Sequence, residues 1–132
     1  MREILFRGKQ IDTGAWVEGA FCMKDCDSFF GVLVDRPSII KYEEPHSGYW
    51  FRVDPETVGQ FTGVTDKNGK RIFEGDILEF RRGRSHIVKF ADGGFIFEGT
   101  AIPVRYADKF EVIGNIHDNP ELQEITTAAI AF

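Results

Sequence analysis

The stretch Gln60–Phe80, QFTGVTDKNGKRIFEGDILEF, decides the fold that we predict for this chain. At its centre lies Asn68-Gly69, the dipeptide best able to hold positive φ at two successive positions, as a type I′ hairpin turn requires. Apolar and β-branched residues flank the dipeptide on both sides. The stretch therefore predicts a tight hairpin, then a bend at Glu74-Gly75-Asp76, then a strand from Ile77 to Phe80.

The composition is typical of one globular, sheet-rich domain. A chain of 132 residues can bury a core without disulfides or metals. Its 13 Phe, and 14 Gly against 5 Pro, indicate short strands joined by tight turns. The net charge of −5 argues against binding to nucleic acid or anionic membranes by bulk electrostatics. Because the sequence shows neither a secretory leader nor a long apolar run, we expect a cytoplasmic protein that does not enter a membrane.

The residues before the central stretch alternate between strand and turn patterns. Met23–Ser28 is predicted to be an exposed loop, Asp35–Ser38 a turn, and Asp54–Gly59 one capped helical turn that begins with an acceptor side chain and a proline. The predicted strands are Ile4–Ile11, Ala15–Phe21, Phe29–Val34, Ile39–Tyr42 and Tyr49–Val53.

The residues after the central stretch continue the same pattern. Asp92-Gly93-Gly94 is predicted to turn one strand into the next, and Thr100–Lys109, which contains Pro103, is predicted to be an irregular crossing with a short edge strand. The predicted strands are His86–Phe90, Phe95–Glu98 and Phe110–Ile116. So many short strands indicate a small curled sheet or barrel.

Residue types that carry chemistry are present but do not converge. Cys22 and Cys26 have no nearby Cys or His pair to complete a tetrahedral metal site, so we expect reduced structural thiols. Glu74 and Asp76 would share one strand face as an acid/base pair, but we favour Asp76 as a cap on backbone amides. The histidines, which lie far apart in the sequence, are His46, His86 and His117. We predict no catalytic residue, no metal and no cofactor.

Two sets of residues remain as candidate binding sites. A basic turn could contact nucleic acid, with Phe73, Phe80 or Phe90 stacking on bases if exposed; its cations are Arg81, Arg82, Arg84 and Lys89. Large apolar residues outside the central stretch could instead contact a protein, since aromatic side chains dominate interface hot spots, or could belong to the core. These residues are Phe29, Phe30, Trp50, Ile130 and Phe132.

Three separated blocks of the sequence form a recognisable pattern. The first block is Met1–Ile4 with Phe6–Lys9 and the Asp12-Thr13-Gly14 turn. The second is Pro55–Gly63 running into Asp66–Lys70 and Ile72–Ile77, and the third is Val112–Leu122. In their order and spacing these blocks resemble the YopX family, whose members are small proteins typically encoded in phages and prophages. The resemblance implies a mainly β fold in which an antiparallel N-terminal hairpin layer packs beside a C-terminal SH3-like small barrel, with little helix.

We expect residues 1–124 to form a single β domain, with an N-terminal layer at 1–59, a barrel half at 60–124 and a tail at 125–132. The resemblance implies no reaction and no ligand. We therefore expect a non-catalytic phage or prophage accessory protein, not an enzyme, that acts as a protein-interaction or self-assembly module. Its expected partner is a second copy or a host or phage protein, without a small-molecule substrate. The alternative is a nucleic-acid-binding small barrel that uses the basic turn.

Overall fold

The computed structural model describes residues 4–29, 32–43, 47–80 and 84–122. Over these residues the chain forms ten β-strands and two short 3₁₀ helices, Pro55–Thr57 and Val104–Lys109. The strands are β1 (Phe6–Lys9), β2 (Trp16–Phe29), β3 (Val32–Glu43), β4 (Ser47–Arg52), β5 (Gly59–Thr65), β6 (Arg71–Phe73), β7 (Asp76–Glu79), β8 (Ser85–Ala91), β9 (Gly94–Phe97) and β10 (Glu111–Asn115). The predicted mainly β class with antiparallel sheets and little helix is confirmed.

The chain divides into two compact units, one up to Gln60 and the other from Phe61 on. The expectation of a single domain over residues 1–124 stays a prediction, and the tail at 125–132 lies outside the described residues.

In the first unit, antiparallel strands follow the order β4-β3-β2-β1, and the first residues of β5 pair with β1. Its core consists of Val17, Ile39 and Val53. Gly8 allows β1 to approach this core closely, because a Cβ atom at Gly8 would lie 2.9 Å from Val53 Cβ.

The observed lengths of β2 and β3 contradict two predictions that we made from local sequence patterns. The loop predicted at Met23–Ser28 and the turn predicted at Asp35–Ser38 are wrong, since these segments pair with each other, Met23 opposite Pro37 and Asp25 opposite Asp35. Pro37 fits into this strand because β4 pairs with β3 only from Ser38 onward. The absence of an N–H group at Pro37 therefore removes no hydrogen bond between β3 and β4.

The capped helical turn predicted at Asp54–Gly59 is confirmed as the 3₁₀ helix Pro55–Thr57. The Asp54 carboxylate accepts a hydrogen bond from the Glu56 N–H at 3.0 Å. The Thr57 hydroxyl donates to the Asp54 carbonyl at 2.6 Å and accepts from the Lys9 N–H at 2.9 Å. The cap thus ties the helix to β1.

In the second unit, four antiparallel strands follow the order β10-β7-β8-β9, and β5 and β6 form a hairpin. Phe110 lies at the centre of the core, fully buried, with the rings of Phe97 and Phe80 at centroid distances of 4.9 and 5.0 Å. The edge strand predicted within Thr100–Lys109 is wrong. Pro103 instead caps the 3₁₀ helix Val104–Lys109, where its carbonyl accepts the Tyr106 N–H at 3.0 Å.

The turn at Asn68-Gly69 differs from its predicted type. Gly69 has a φ of +78°, but Asn68 does not have positive φ, so the type I′ prediction is wrong. The Gly69 N–H donates to the Asp66 carbonyl at 3.0 Å, which gives a three-residue loop ending in a left-handed glycine. Asp92 and Gly93, with φ of +52° and +83°, form the turn that has two successive positive φ values.

The bend before β7 agrees with the cap predicted for Asp76. The Asp76 carboxylate is buried and accepts the Phe73 N–H at 2.8 Å, while Gly75 adopts a φ of +92°. This carboxylate therefore holds the backbone bend that leads from β6 into β7.

Candidate functional site: an apolar groove with a cationic rim

A groove of about 480 Å³ opens on the surface of the second unit. Two segments line it: the end of β7, and the connection from β9 through the second 3₁₀ helix. The lining residues are Phe80, Thr100, Ala101, Ile102, Pro103, Tyr106 and Lys109. We refer to this feature below as the groove.

The floor of the groove is the outer layer of the hydrophobic core. Phe80 and Ile102 are half-buried and pack against the cluster that contains Leu78, Ala107 and Phe110. Because close-packed side chains behind them hold both residues, the floor presents a preformed apolar surface.

One wall is the segment Thr100–Pro103, whose course is fixed by local hydrogen bonds. The Thr100 N–H donates to the Phe97 carbonyl at 3.3 Å, and the Thr100 hydroxyl oxygen accepts the Ile102 N–H at 3.2 Å. Pro103 has a φ of −63° and begins the following 3₁₀ helix. The backbone conformation of the wall is therefore fixed by the ring of Pro103 and by the hydrogen bond from the Ile102 N–H to the Thr100 hydroxyl.

The rim of the groove is aromatic and cationic. Tyr106 is 40% exposed, with Arg105 Cζ 5.0 Å and Lys109 Nζ 5.4 Å from the centroid of its ring. Both distances are within the range of cation–π attraction. Within the described residues, no carboxylate forms an ion pair with either cation, and the nearest acid in sequence is the exposed Asp108.

A buried carboxylate in the same unit, that of Asp66, accepts hydrogen bonds from backbone N–H groups. Asp66 is 4% exposed and accepts three N–H groups, from Asn68 at 2.8 Å, Lys70 at 2.9 Å and Val112 at 3.0 Å. Burial by itself raises the pKa of the Asp66 carboxyl. The three amides and the Lys70 ammonium lower it by more, so its pKa lies below the ordinary value. Asp66 therefore holds the 66–70 turn against β10, which is a structural role.

A family model described as YopX protein matches residues 6–124. The chain belongs to the YopX family. It is also similar to protein EF1440 from Enterococcus faecalis, known from a crystal structure, with 27% sequence identity and a TM-score of 0.56. The similarity covers 92% of this chain and 99% of that one. No curated protein matches the chain.

The third YopX block, Val112–Leu122, begins within β10 and continues into a turn that side-chain hydrogen bonds hold. Asn115 Oδ1 accepts the N–H groups of His117 at 3.0 Å and Asp118 at 2.9 Å, and Asn119 Oδ1 accepts the Asn115 N–H at 3.2 Å. A Cβ atom at Gly114 would lie 2.8 Å from Asn119 Cγ. The residues that carry the family resemblance here thus specify a backbone shape.

The predicted basic patch is only partly described. Arg81 and Arg82 lie outside the described residues, and Arg84 is exposed. Lys89 is exposed too, but its Nζ lies 2.7 Å from Glu98 Oε2. The proposed patch in this YopX-family chain therefore stays a prediction.

The three rings considered for base stacking have different surroundings. Phe73 is 1% exposed and cannot stack on a base, and Phe80 lies in the groove floor. Phe90 is 55% exposed and contacts the ring of Phe95 at 5.2 Å. Of these three residues, only Phe90 has a side chain that is mostly exposed.

The predicted protein-contact residues fall largely outside the described part of the chain. Phe30, Ile130 and Phe132 lie outside it altogether. Phe29 ends β2 and Trp50 lies in β4, but their side chains are not among those described. Their role stays a prediction.

Ionisable groups in the described residues do not assemble into a metal-binding cluster. His86 is buried, with Nδ1 2.9 Å from the Glu98 carbonyl oxygen and its ring edge-on to Phe110 at 5.9 Å. In the described part of the chain, no helix is long and apolar enough to span a membrane.

Sequence reasoning missed the groove. Its lining comes from residue 80 and residues 100–109, and no motif joins them. One signal was available, since Tyr106 follows Arg105 directly and precedes Lys109 by three positions in a segment bounded by Pro103. One helical turn would place Lys109 beside both Tyr106 and Arg105, which precede it by three and four positions.

Proposed function

We propose that this YopX-family chain is a non-catalytic protein-interaction module that binds a partner through the groove. The observation that supports this most is the combination of an apolar floor, Phe80 and Ile102, with an exposed aromatic rim, Tyr106. Interface hot spots are enriched in aromatic residues that surround a pocket. The phage or prophage setting implied by the family resemblance is the context in which we expect the partner.

The size and lining of the groove suit a side chain from another protein. Its volume of about 480 Å³ falls within the range of about 300–1,000 Å³ that is common for small-molecule pockets, which have mostly apolar walls and few polar groups, and it is large enough to admit one large side chain. Moving one large apolar side chain from water onto this floor would contribute about 1.5–3 kcal/mol. A partner that inserts one such side chain gains affinity without requiring the groove to open.

Affinity capture from cells in which the phage or prophage is induced tests this proposal. We expect a protein that the wild-type chain retains to be lost with Ile102→Asp, which places a charge on the apolar floor. Ile96→Asp is the matched control, because Ile96 is 42% exposed on β9 and does not line the groove. Circular dichroism checks folding, and Tyr106→Ala replaces Ile102→Asp if that variant does not fold. Equal retention by the wild type and a folded groove variant would exclude the groove.

Nucleic-acid binding remains the second candidate function, supported by the exposed ring of Phe90. Fluorescence anisotropy with single-stranded DNA and RNA would test it, before and after reversal of the charges at Arg81, Arg82 and Arg84. Affinity should fall with added salt if the turn contacts phosphates. Unchanged binding by the reversed variant would remove this candidate.

A further inference from the structure

We infer that the groove binds an acidic protein segment that presents one large apolar side chain between carboxylates. This inference rests on the proposed function and specifies the chemistry of the partner. It follows from three observations on the rim and wall of the groove: its local charge, the cations that lie over Tyr106, and a backbone donor at Ala101.

The rim is locally positive in a chain whose net charge is −5. The 3₁₀ helix beside the groove carries Arg105 and Lys109 against the single carboxylate of Asp108. Elsewhere in this unit, two lysines are paired with acids, Lys67 with Glu111 at 3.3 Å and Lys89 with Glu98 at 2.7 Å. Within the described residues, the two rim cations have no such pair, so their charge is available to carboxylates of a partner.

The surroundings of Tyr106 favour a protein segment over nucleic acid. Arg105 and Lys109 both lie over the Tyr106 ring, at 5.0 and 5.4 Å from its centroid. A nucleobase that stacks on this ring would compete with those cation–π contacts. A carboxylate can pair with the same cations while they remain where they are, and an apolar side chain then fills the floor at Phe80 and Ile102.

The groove wall also offers a main-chain contact. Within the described residues, the N–H of exposed Ala101 donates no hydrogen bond, whereas its neighbours Thr100 and Ile102 donate theirs to Phe97 and to the Thr100 hydroxyl. A peptide carbonyl passing along Thr100–Pro103 could accept from it. Such a donor suits an extended polypeptide, which carries carbonyl groups at regular intervals.

Two fluorescently labelled peptides with the same single central phenylalanine test the inference, one flanked by glutamates and the other by lysines. We expect the full-length chain to bind the glutamate peptide about tenfold more tightly, with affinity falling as salt is added. Replacement of the phenylalanine by glycine should abolish binding. The chain with Arg105→Glu and Lys109→Glu should reverse the preference and bind the lysine peptide.

A matched control carries the same change in net charge at two exposed cations that do not line the groove, Arg52→Glu and Lys67→Glu. This control should keep the preference for glutamate. Equal affinity for both peptides, or a glutamate preference that survives the rim reversal, would overturn the inference. Binding of an oligonucleotide but neither peptide in the groove would overturn it too. So would self-association of the chain that Ile102→Asp abolishes, since a second copy would then fill the groove.

The inference and the proposed function fail in different ways. Partner capture that survives Ile102→Asp removes the groove as a protein-binding site. Capture that is lost with Ile102→Asp but unaffected by the double reversal at Arg105 and Lys109 keeps the protein-binding role. That result rejects only the acidic character of the partner.

Discussion

Replacement of Asp66 by asparagine removes one negative charge and one acceptor oxygen while keeping the shape of the side chain. The wild-type carboxylate accepts Asn68 and Lys70 N–H groups through Oδ1 and the Val112 N–H through Oδ2. An asparagine can keep its oxygen toward the two turn amides. Its NH₂ group then faces the Val112 N–H, so one buried donor loses its acceptor.

The expected loss follows from these contacts. A hydrogen bond to a charged group contributes about 1.5–3 kcal/mol, and a buried donor without a partner costs about 1–3 kcal/mol. We therefore expect Asp66→Asn to lower the free energy of unfolding by about 2–4 kcal/mol at pH 7. Small domains are stable by about 5–15 kcal/mol, so the variant should still fold.

The effect should depend on pH in a defined direction. The pKa of folded Asp66 is lowered from its ordinary value of 3.8. Its carboxylate therefore stabilises the fold fully above about pH 5, and this contribution is lost as the pH falls through the folded pKa. The difference in stability between wild type and variant should accordingly shrink in acid.

Urea unfolding at pH 7 and at pH values below 4 measures the loss of stability in the variant and how that loss changes with pH. Asp92→Asn is the matched control, because Asp92 is exposed at a φ of +52° that asparagine tolerates, and should change stability by about 0.5 kcal/mol or less. If the Asp66→Asn variant is as stable as wild type at pH 7, the three hydrogen bonds of Asp66 do not stabilise the fold as proposed. A difference of the same size at low pH would refute the role assigned to its charge.

Three further changes test packing and turns, each by urea unfolding. Gly8→Ala should destabilise the chain by about 1–3 kcal/mol, because its methyl group would lie 2.9 Å from Val53 Cβ; a neutral result would show that β1 shifts freely. Gly114→Ala should cost a similar amount, about 1–3 kcal/mol, through overlap with Asn119, and the same change should cost less in a chain that already carries Asn119→Ala. Phe110→Ala should cost about 3–5 kcal/mol by leaving a cavity at a fully buried site, and a loss below 1 kcal/mol would place Phe110 outside the core.

Features set by near neighbours in the sequence were predictable. The cap of Asp54 on Glu56 spans two residues, and that of Asp76 on Phe73 spans three. Side chains of aspartate compete for nearby amides wherever the chain bends, so their position next to proline or glycine is informative.

The type of a turn was less predictable, because a distant group helps to decide it. Asn68-Gly69 has the composition of a type I′ turn, but the Asp66 carboxylate accepts both the Asn68 and the Lys70 N–H and favours a three-residue loop. Asp66 is itself held by Val112, 46 residues further on. The dipeptide alone does not contain that information.

The parts of β2 and β3 at Met23–Ser28 and Asp35–Ser38 were not predicted as strand because pairing between the two strands overrides local preference. Met23–Ser28 carries three charges, and Asp35–Ser38 contains a proline, which are ordinary signals for loop and turn. Strand preference depends on the cross-strand neighbour more than on the residue itself. The groove was missed for a related reason, since Phe80 and Tyr106 meet only through the fold.

The three hydrogen bonds that Asp66 accepts also bear on the order in which the second unit folds. The bonds to Asn68 and Lys70 close a loop of a few residues, whereas the bond to Val112 joins residues that are 46 positions apart in the sequence. Contacts so distant in sequence form late, since the entropy of loop closure must be lost before they stabilise anything. One side chain thus takes part in a fast local step and a slow closing step. In stopped-flow refolding, Asp66→Asn should slow folding less than it accelerates unfolding.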